Sequence, residues 1–214
     1  MFTKTSSSSY SSTEESYSSE ESDNIELSHV NNILIEDLCF LLTRNKFFTD
    51  PDQLVFIDKI FIVSNDVVLY YILLLDYSKM RSLIDKKVKK RINKFLKDNK
   101  VSINNLVLVF ADKLCNLNIK EIVNAYKTLK FTSTNYIFIS KCYYPSKEEK
   151  EEFLELFSDY KESLEILPVK IEEIFLNKFS KKKNINIGGV PFQMHLINNE
   201  DIKKYINILE NEEE

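Results

Sequence analysis

Apolar positions along this chain follow two rhythms. Short apolar runs at Val67–Leu75, Leu106–Phe110 and Tyr136–Ser140 predict buried strands, and Leu54–Val63 is a further strand candidate. Elsewhere apolar residues recur every three or four positions, the spacing of a helix with one inward stripe. Over Val30–Phe47 that stripe is Ile33, Leu34, Leu38, Leu41 and Leu42, stopped before Thr49-Asp50-Pro51. Ser82 and Asp85 open a second helix, Leu83 to Asn99, whose apolar face is Ile84, Val88, Ile92, Phe95 and Leu96. The rest of that helix is basic: Lys86, Lys87, Lys89, Lys90, Arg91, Lys94 and Lys97. Ile119–Leu129 is a third helix. Helices alternating with buried strands predict a three-layer α/β/α domain over residues 29–140.

After Ile137-Phe138-Ile139-Ser140 the pattern changes. Tyr143-Tyr144-Pro145 ends the strand, because proline removes a ladder donor. Ser146 followed by Glu148 and Glu149 is a helix start, with a hydroxyl cap and carboxylates in the positive first turn. Phe153, Leu154, Leu156 and Phe157 form its apolar stripe. Pro168 stops that unit and redirects the chain into a second helical segment, Glu172 to Phe179. This predicts a small α+β domain over residues 141–209.

Composition adds two charged ends. Residues 1–28 carry Lys4 against Glu14, Glu15, Glu20, Glu21, Asp23 and Glu26, for a net charge of −5. Residues 3–22 are nearly all Ser, Thr, Tyr and Glu, too polar to offset ordering entropy, so a disordered tail is expected over 1–28. Ser12 and Ser18 each have a glutamate three residues on, a pattern that acidophilic kinases accept. Residues 210–214 form an acidic tail, which leaves the body near +5 although the whole chain is −4. A mildly basic body tolerates nucleic acid nearby.

No run approaches the roughly 18 apolar residues of a membrane span. Cys39, Cys115 and Cys142 are odd in number and widely spaced, which fits free thiols in a reducing, intracellular setting. His29 and His195 stand alone, so neither a zinc site nor a Ser-His-Asp grouping is expected. The two glycines, Gly188 and Gly189, exclude a glycine-rich phosphate loop. No cofactor is expected.

The order strand, Tyr144-Pro145-Ser146-Lys147, charged helix, Leu167-Pro168 with Ile171, and a helical segment ending at Phe179 resembles a known module. It is the carboxy-terminal assembly module of the fifth subunit of DNA-directed RNA polymerase, a module common to the eukaryotic and archaeal enzymes. That family reads Val-Pro-x-His and Leu-Pro-(Lys/Arg)-Ile at the corresponding places, and its histidines are absent here. Arg44-Asn45-Lys46-Phe47-Phe48-Thr49 and Leu106–Phe110 likewise resemble its jaw domain, so the likeness spans about residues 30–195. Gly188-Gly189-Val190 stands where the family has Gly-(Asp/Glu)-Val-Val.

The resemblance implies a non-catalytic polymerase subunit with an endonuclease-like α/β jaw domain beside downstream DNA and a small assembly domain. The partner it implies is the largest polymerase subunit, with Tyr143, Tyr144, Pro145, Leu167, Pro168 and Phe175 as interface residues. The loop Ala111–Asn118 would lie near DNA, placing Lys113, Asn116, Asn118 and Lys120 as DNA-proximal. The Asn/Lys/Ile-rich body and serine-acidic extension suit a divergent version such as a large DNA virus would carry, working in the nucleus, or in cytoplasm or virion.

Two other readings stand beside it. Restriction-type nucleases hold a metal with Asp and (Asp/Glu)-x-Lys on adjacent strands; Asp85-Lys86-Lys87 and Glu148-Glu149-Lys150 match the short pattern, although both stand at helix starts. An intracellular adaptor using its tail is the third. The basic helix itself is open to two readings, sequence-blind phosphate contact or a solvated amphipathic face.

Overall fold

Strand β3 (Val67–Asp76) sits inside the sheet because every position from Tyr70 to Leu75 is apolar or aromatic and buried. With a side-chain period of two, Tyr71, Leu73 and Leu75 enter the core on one face, and Tyr70, Ile72 and Leu74 that on the other. A computed structural model describes residues 25–28, 47–50, 53–64, 67–113, 117–158 and 164–211. The helix expected from Val30 lies outside these except for Phe47, as do Cys39, Cys115, Asn116, His29, Ser12 and Ser18.

Around β3 the chain builds a mixed sheet from β1 (Ile25–Ser28), β2 (Phe56–Ser64), β4 (Leu106–Lys113), β5 (Asn135–Tyr143), β7 (Lys181–Ile187) and β8 (Val190–Asn198). Their order is β1-β2-β3-β4-β5-β8-β7, and the two-residue β6 (Leu167–Pro168) pairs with the end of β5. Only β4 and β5 run parallel, with Leu106 opposite Asn135. Parallel neighbours need a crossover, here through helix α3 (Ile119–Thr128). The helices before it are α1 (Tyr77–Met80) and α2 (Lys86–Asp98). After it come α4 (Lys147–Leu156), a 3-10 helix at Ile171–Lys178, and α5 (Asn199–Asn211).

The expectation of a mixed α/β fold holds, with helices on both faces. Helix α2 covers one face with Val88, Ile92, Phe95 and Leu96 against Leu73, Leu108, Ile139 and Met194. On the other, Ile122, Tyr126, Leu176, Ile202 and Tyr205 pack on Ile72, Val109, Phe138 and Ile197. Burying one such aliphatic side chain contributes about 1.5–3 kcal/mol, far more than helix propensity supplies.

Three boundaries differ from the sequence reading. The division expected at 140/141 falls within β5, whose ladder to β8 runs unbroken from Asn135↔Asn198 to Lys141↔Phe192. Residues on both sides of it therefore share one sheet. Ile25–Ser28, assigned to the tail, instead pair with Phe61–Ser64, an alternating Ile-Glu-Leu-Ser segment suited to an edge. Glu210, assigned to the acidic tail, lies in α5 and reaches Lys127 at 2.5 Å.

The β7–β8 hairpin follows from its turn. Ile187 pairs with Val190, and the two loop residues Gly188 and Gly189 have φ of 60° and 93°. Positive φ at both central positions is what a tight hairpin matched to strand twist demands, and glycine supplies it without a Cβ penalty.

Candidate functional site

Two places carry chemistry: a buried ionic cluster on the α3–α5 face and a basic surface on the α2 face.

The cluster begins where β6 ends. Lys170 is the residue before the 3-10 helix, and its side chain turns inward. Its Nζ lies 2.6 Å from Glu173 Oε1, donates to the Ala111 carbonyl, and stands 5.9 Å above the Tyr70 ring. Lys170 is 1% exposed and Glu173 2%. Glu172, also buried, reaches Lys113 Nζ at 3.4 Å. Ser140, Tyr70, Tyr126 and Tyr205 close the cluster, all buried.

Protonation follows from this packing. Burial pushes the Glu173 carboxyl up to about 7, against the opposing pull of Lys170. Burial would lower Lys170, yet Glu173, Tyr126 and Glu172 outweigh it and hold the ammonium above its ordinary value. Burial raises Tyr126 to about 12, and Tyr70 and Tyr205 well above the ordinary phenol value. The three hydroxyls lie close enough to influence one another, but none makes a bond of ordinary hydrogen-bond geometry. Cys142 also lies in reach of Glu173, and burial raises its thiol to about 12, so it is no nucleophile at neutral pH. Such a cluster stores charge and a proton. Its side chains are sealed from solvent, so it acts as an internal strut between the 3-10 helix and β3, β4 and β5.

Near its margin on the same face, His195 is buried on β8, with Ser180 Oγ 3.0 Å from its Nδ1. Burial, aided by Lys182, lowers its imidazole to about 3, so it is neutral throughout the physiological range.

The interface candidates divide. Pro145, Leu167, Pro168 and Phe175 are buried within the chain's own core, and Phe175 meets the Phe157 ring at 6.1 Å. Tyr143 and Tyr144 stay outside, 36% and 64% exposed. Among the DNA-proximal candidates, Lys113 turns inward to Glu172, whereas Asn118 caps α3 by accepting from the Lys120 N–H at 3.1 Å. Lys120 is exposed, and Asn116 lies outside the described residues. Of the three described, Asn118 and Lys120 are exposed and Lys113 is half-buried.

Both nuclease-like triplets prove to be helix caps. Asp85 Oδ1 accepts from the N–H groups of Lys87 and Val88 at 2.8 and 3.2 Å. Ser146 and Glu149 form a reciprocal capping box at the start of α4. Among the described residues, no three His, Cys, Asp or Glu side chains are grouped to hold a metal.

The basic surface, unlike the cluster, is open to solvent. On α2, Lys86, Lys87, Lys90, Lys94 and Lys97 are exposed or half-buried at the surface, as is Lys89. None of the six has an acidic partner within ion-pair distance among the described residues. Beside them, the edge strand β7 adds Lys181 and Lys183, which share the face of Ile185 and Ile187, and Lys183 pairs with Asp98 at 3.6 Å. Arg91 Nη1 donates to the Asn186 carbonyl at 2.6 Å, tying α2 to the end of β7. There a cleft of about 210 Å³ is lined by Asp85, Lys87, Val88, Arg91, Asn186, Ile187 and Gly188. Asn186 Nδ2 donates to the Tyr144 hydroxyl at 3.5 Å, so the exposed aromatic stands at the cleft's rim. The lysines are visible in the sequence, but this neighbourhood is not, since Tyr144, Asn186 and Arg91 are far apart along the chain.

No family model matches the sequence, and no curated protein does. Among solved structures, the fold is similar to the crystal structure of BCP1 from Saccharomyces cerevisiae, with a TM-score of 0.62. The match covers 92% of this chain and 93% of that one at 17% identity, a likeness of fold alone. Among the described residues no helix is long and apolar enough to cross a membrane.

Proposed function

We propose that this chain is a non-catalytic nucleic-acid-binding component of a larger assembly, engaging phosphate backbone through the α2 face. The carrying observation is the set of six α2 lysines without acidic partners among the described residues. Lys86, Lys90, Lys94 and Lys97 fall three or four residues apart, so they line one stripe of the helix. At 1.5 Å rise per residue that stripe is about 17 Å long, enough to span several phosphates. Such contacts give affinity without sequence choice.

The test is fluorescence anisotropy with labelled single-stranded and duplex 20-mers over a salt series. Four lysine contacts give a log–log salt slope of about −3 on the single strand and about −3.6 on the duplex. Changing Lys86, Lys90, Lys94 and Lys97 together to Gln flattens the slope and weakens binding. Unchanged binding by that variant overturns the reading.

A narrower form rests on the sequence resemblance: a subunit of a DNA-dependent RNA polymerase, with a jaw domain over 29–140 and an assembly domain over 141–209. It would place the chain in the nucleus, or in cytoplasm or virion for a viral enzyme. It requires the two modules to share one sheet through β5 and β8. In this form Tyr143 and Tyr144 would meet the largest subunit. Tagged protein purified from its natural source would then carry large polymerase subunits with it; their absence counts against this form and leaves the broader reading intact.

A further inference from the structure

Building on the broader, phosphate-binding reading, we infer that the nucleic acid is single-stranded, with a base stacked on Tyr144 and seated at the cleft between α2 and the β7–β8 hairpin. Two observations carry this independently of the lysine stripe. First, Tyr144 is a large aromatic left 64% exposed, and its contact from Asn186 Nδ2 holds the hydroxyl end and leaves ring surface open. Second, the cleft beside it joins groups suited to a nucleotide. Lys87 and Arg91 supply positive charge, Asp85 and the Asn186 amide supply polar edges, and Val88 and Ile187 an apolar wall.

Size favours one base over a larger guest. About 210 Å³ is below the roughly 300–1,000 Å³ of pockets that enclose drug-sized ligands. The hairpin tip leaves the backbone open to close approach, because Gly188 and Gly189 carry no side chain. From this end the strand's phosphates follow the lysine stripe from Lys86 toward Lys97. A duplex keeps its bases stacked on one another and cannot offer one to Tyr144 without unpairing. An acidic peptide would use the lysines but has no ring for Tyr144 and no need of the cleft.

The experiment compares wild type, Tyr144→Ala and Tyr144→Phe in the full chain, with an oligo(dT) 20-mer, a 20-mer duplex and a poly-glutamate peptide as probes. Stacking one base changes affinity about tenfold or more. Tyr144→Ala should lose about tenfold on the single strand at an unchanged salt slope and with duplex binding unaltered. Tyr144→Phe, which keeps the ring and drops the Asn186 contact, should bind like wild type. Equal thermal melting of the three proteins excludes a folding defect. If Tyr144→Ala binds the single strand as well as wild type does, with the salt slope intact, the stacking inference is overturned while the broader reading survives. Tighter binding of poly-glutamate than of the single strand overturns this inference too. Absence of any salt-dependent nucleic-acid binding sinks both.

Discussion

Two buried groups on the α3–α5 face titrate with opposite consequences for stability, and each conceals the other. Glu173, ordinarily near 4.5, is held up at about 7, so across that window the folded chain keeps a proton that the unfolded chain has released. Stability therefore falls as pH rises through it, by up to about 3 kcal/mol in total. His195 behaves the other way. Its ordinary value is 6.5 and its folded value about 3, so between them the unfolded chain binds the extra proton. Stability then falls as pH drops, by up to about 4–5 kcal/mol.

The windows overlap between about pH 4.5 and 6.5, where the two slopes are each about 1.4 kcal/mol per pH unit and opposite in sign. In wild type they cancel. Glu173→Gln removes the falling limb, so the variant gains stability steeply from pH 4.5 to 6.5. His195→Gln removes the rising limb, so that variant loses stability over the same range and up to pH 7. Each substitution also carries a constant cost, since Glu173→Gln changes the contact with Lys170 at 2.6 Å and His195→Gln the contact with Ser180 at 3.0 Å. The slopes are thus the diagnostic and the offsets are not. Urea unfolding followed by circular dichroism at half-unit pH steps measures them, provided the m-value stays constant. Parallel stability curves for wild type and Glu173→Gln would refute the protonation assigned to the cluster.

Lys170→Met removes the cation from a buried pair and should cost about 3–5 kcal/mol at pH 8, less at pH 5, where Glu173 is already neutral. Lys170→Met with Glu173→Leu should cost less than Lys170→Met alone at pH 8; urea midpoints for the two proteins decide it, and strict additivity would argue against coupling. Lys100 follows α2 with φ of 57°, and the Val101 N–H closes the helix end on the Leu96 carbonyl at 3.0 Å. Lys100→Gly should therefore stabilise by about 1 kcal/mol, read as a higher midpoint, and a lower one would show that the left-handed position is not strained here.

The sheet's centre is legible in the sequence because its strands are apolar at every position, from Tyr70 to Leu75 and from Leu106 to Phe110. So is α2, since Val88, Ile92, Phe95 and Leu96 share a helical stripe. The hairpin after Ser180 is absent from the sequence reading although its signal is strong. Asn184-Ile185-Asn186-Ile187 alternates, Gly188-Gly189 turns, and Phe192, Met194 and Leu196 alternate again. Matching Gly188-Gly189-Val190 to a family motif obscures that period. The cluster is hidden for a different reason. Lys170, Glu172 and Glu173 look like a solvated helix, as such residues usually are. A 3-10 helix has three residues per turn, which aligns Lys170, Glu173 and the fully buried Leu176 on the inward side. Helical spacing of 3.6 would spread the same three residues over about 120° rather than stack them.

The lysines of β7 serve two physical ends at once, guarding a sheet edge and placing charge beside α2. β7 is an outer strand of the sheet, with one row of backbone donors and acceptors unpaired within it. Charged side chains on such a strand oppose pairing with another chain. Lys181, Lys182 and Lys183 occupy its first three positions, and Asp98 with the Phe95 ring tethers Lys183 to α2. The protection of the edge thus rests on cations, and two of them, Lys181 and Lys183, lie on the α2 side of the sheet. Acidic residues would have guarded the edge equally well, but would have neutralised the helix beside it. The choice of sign is what edge protection alone leaves open and what the proposed polyanionic partner would account for.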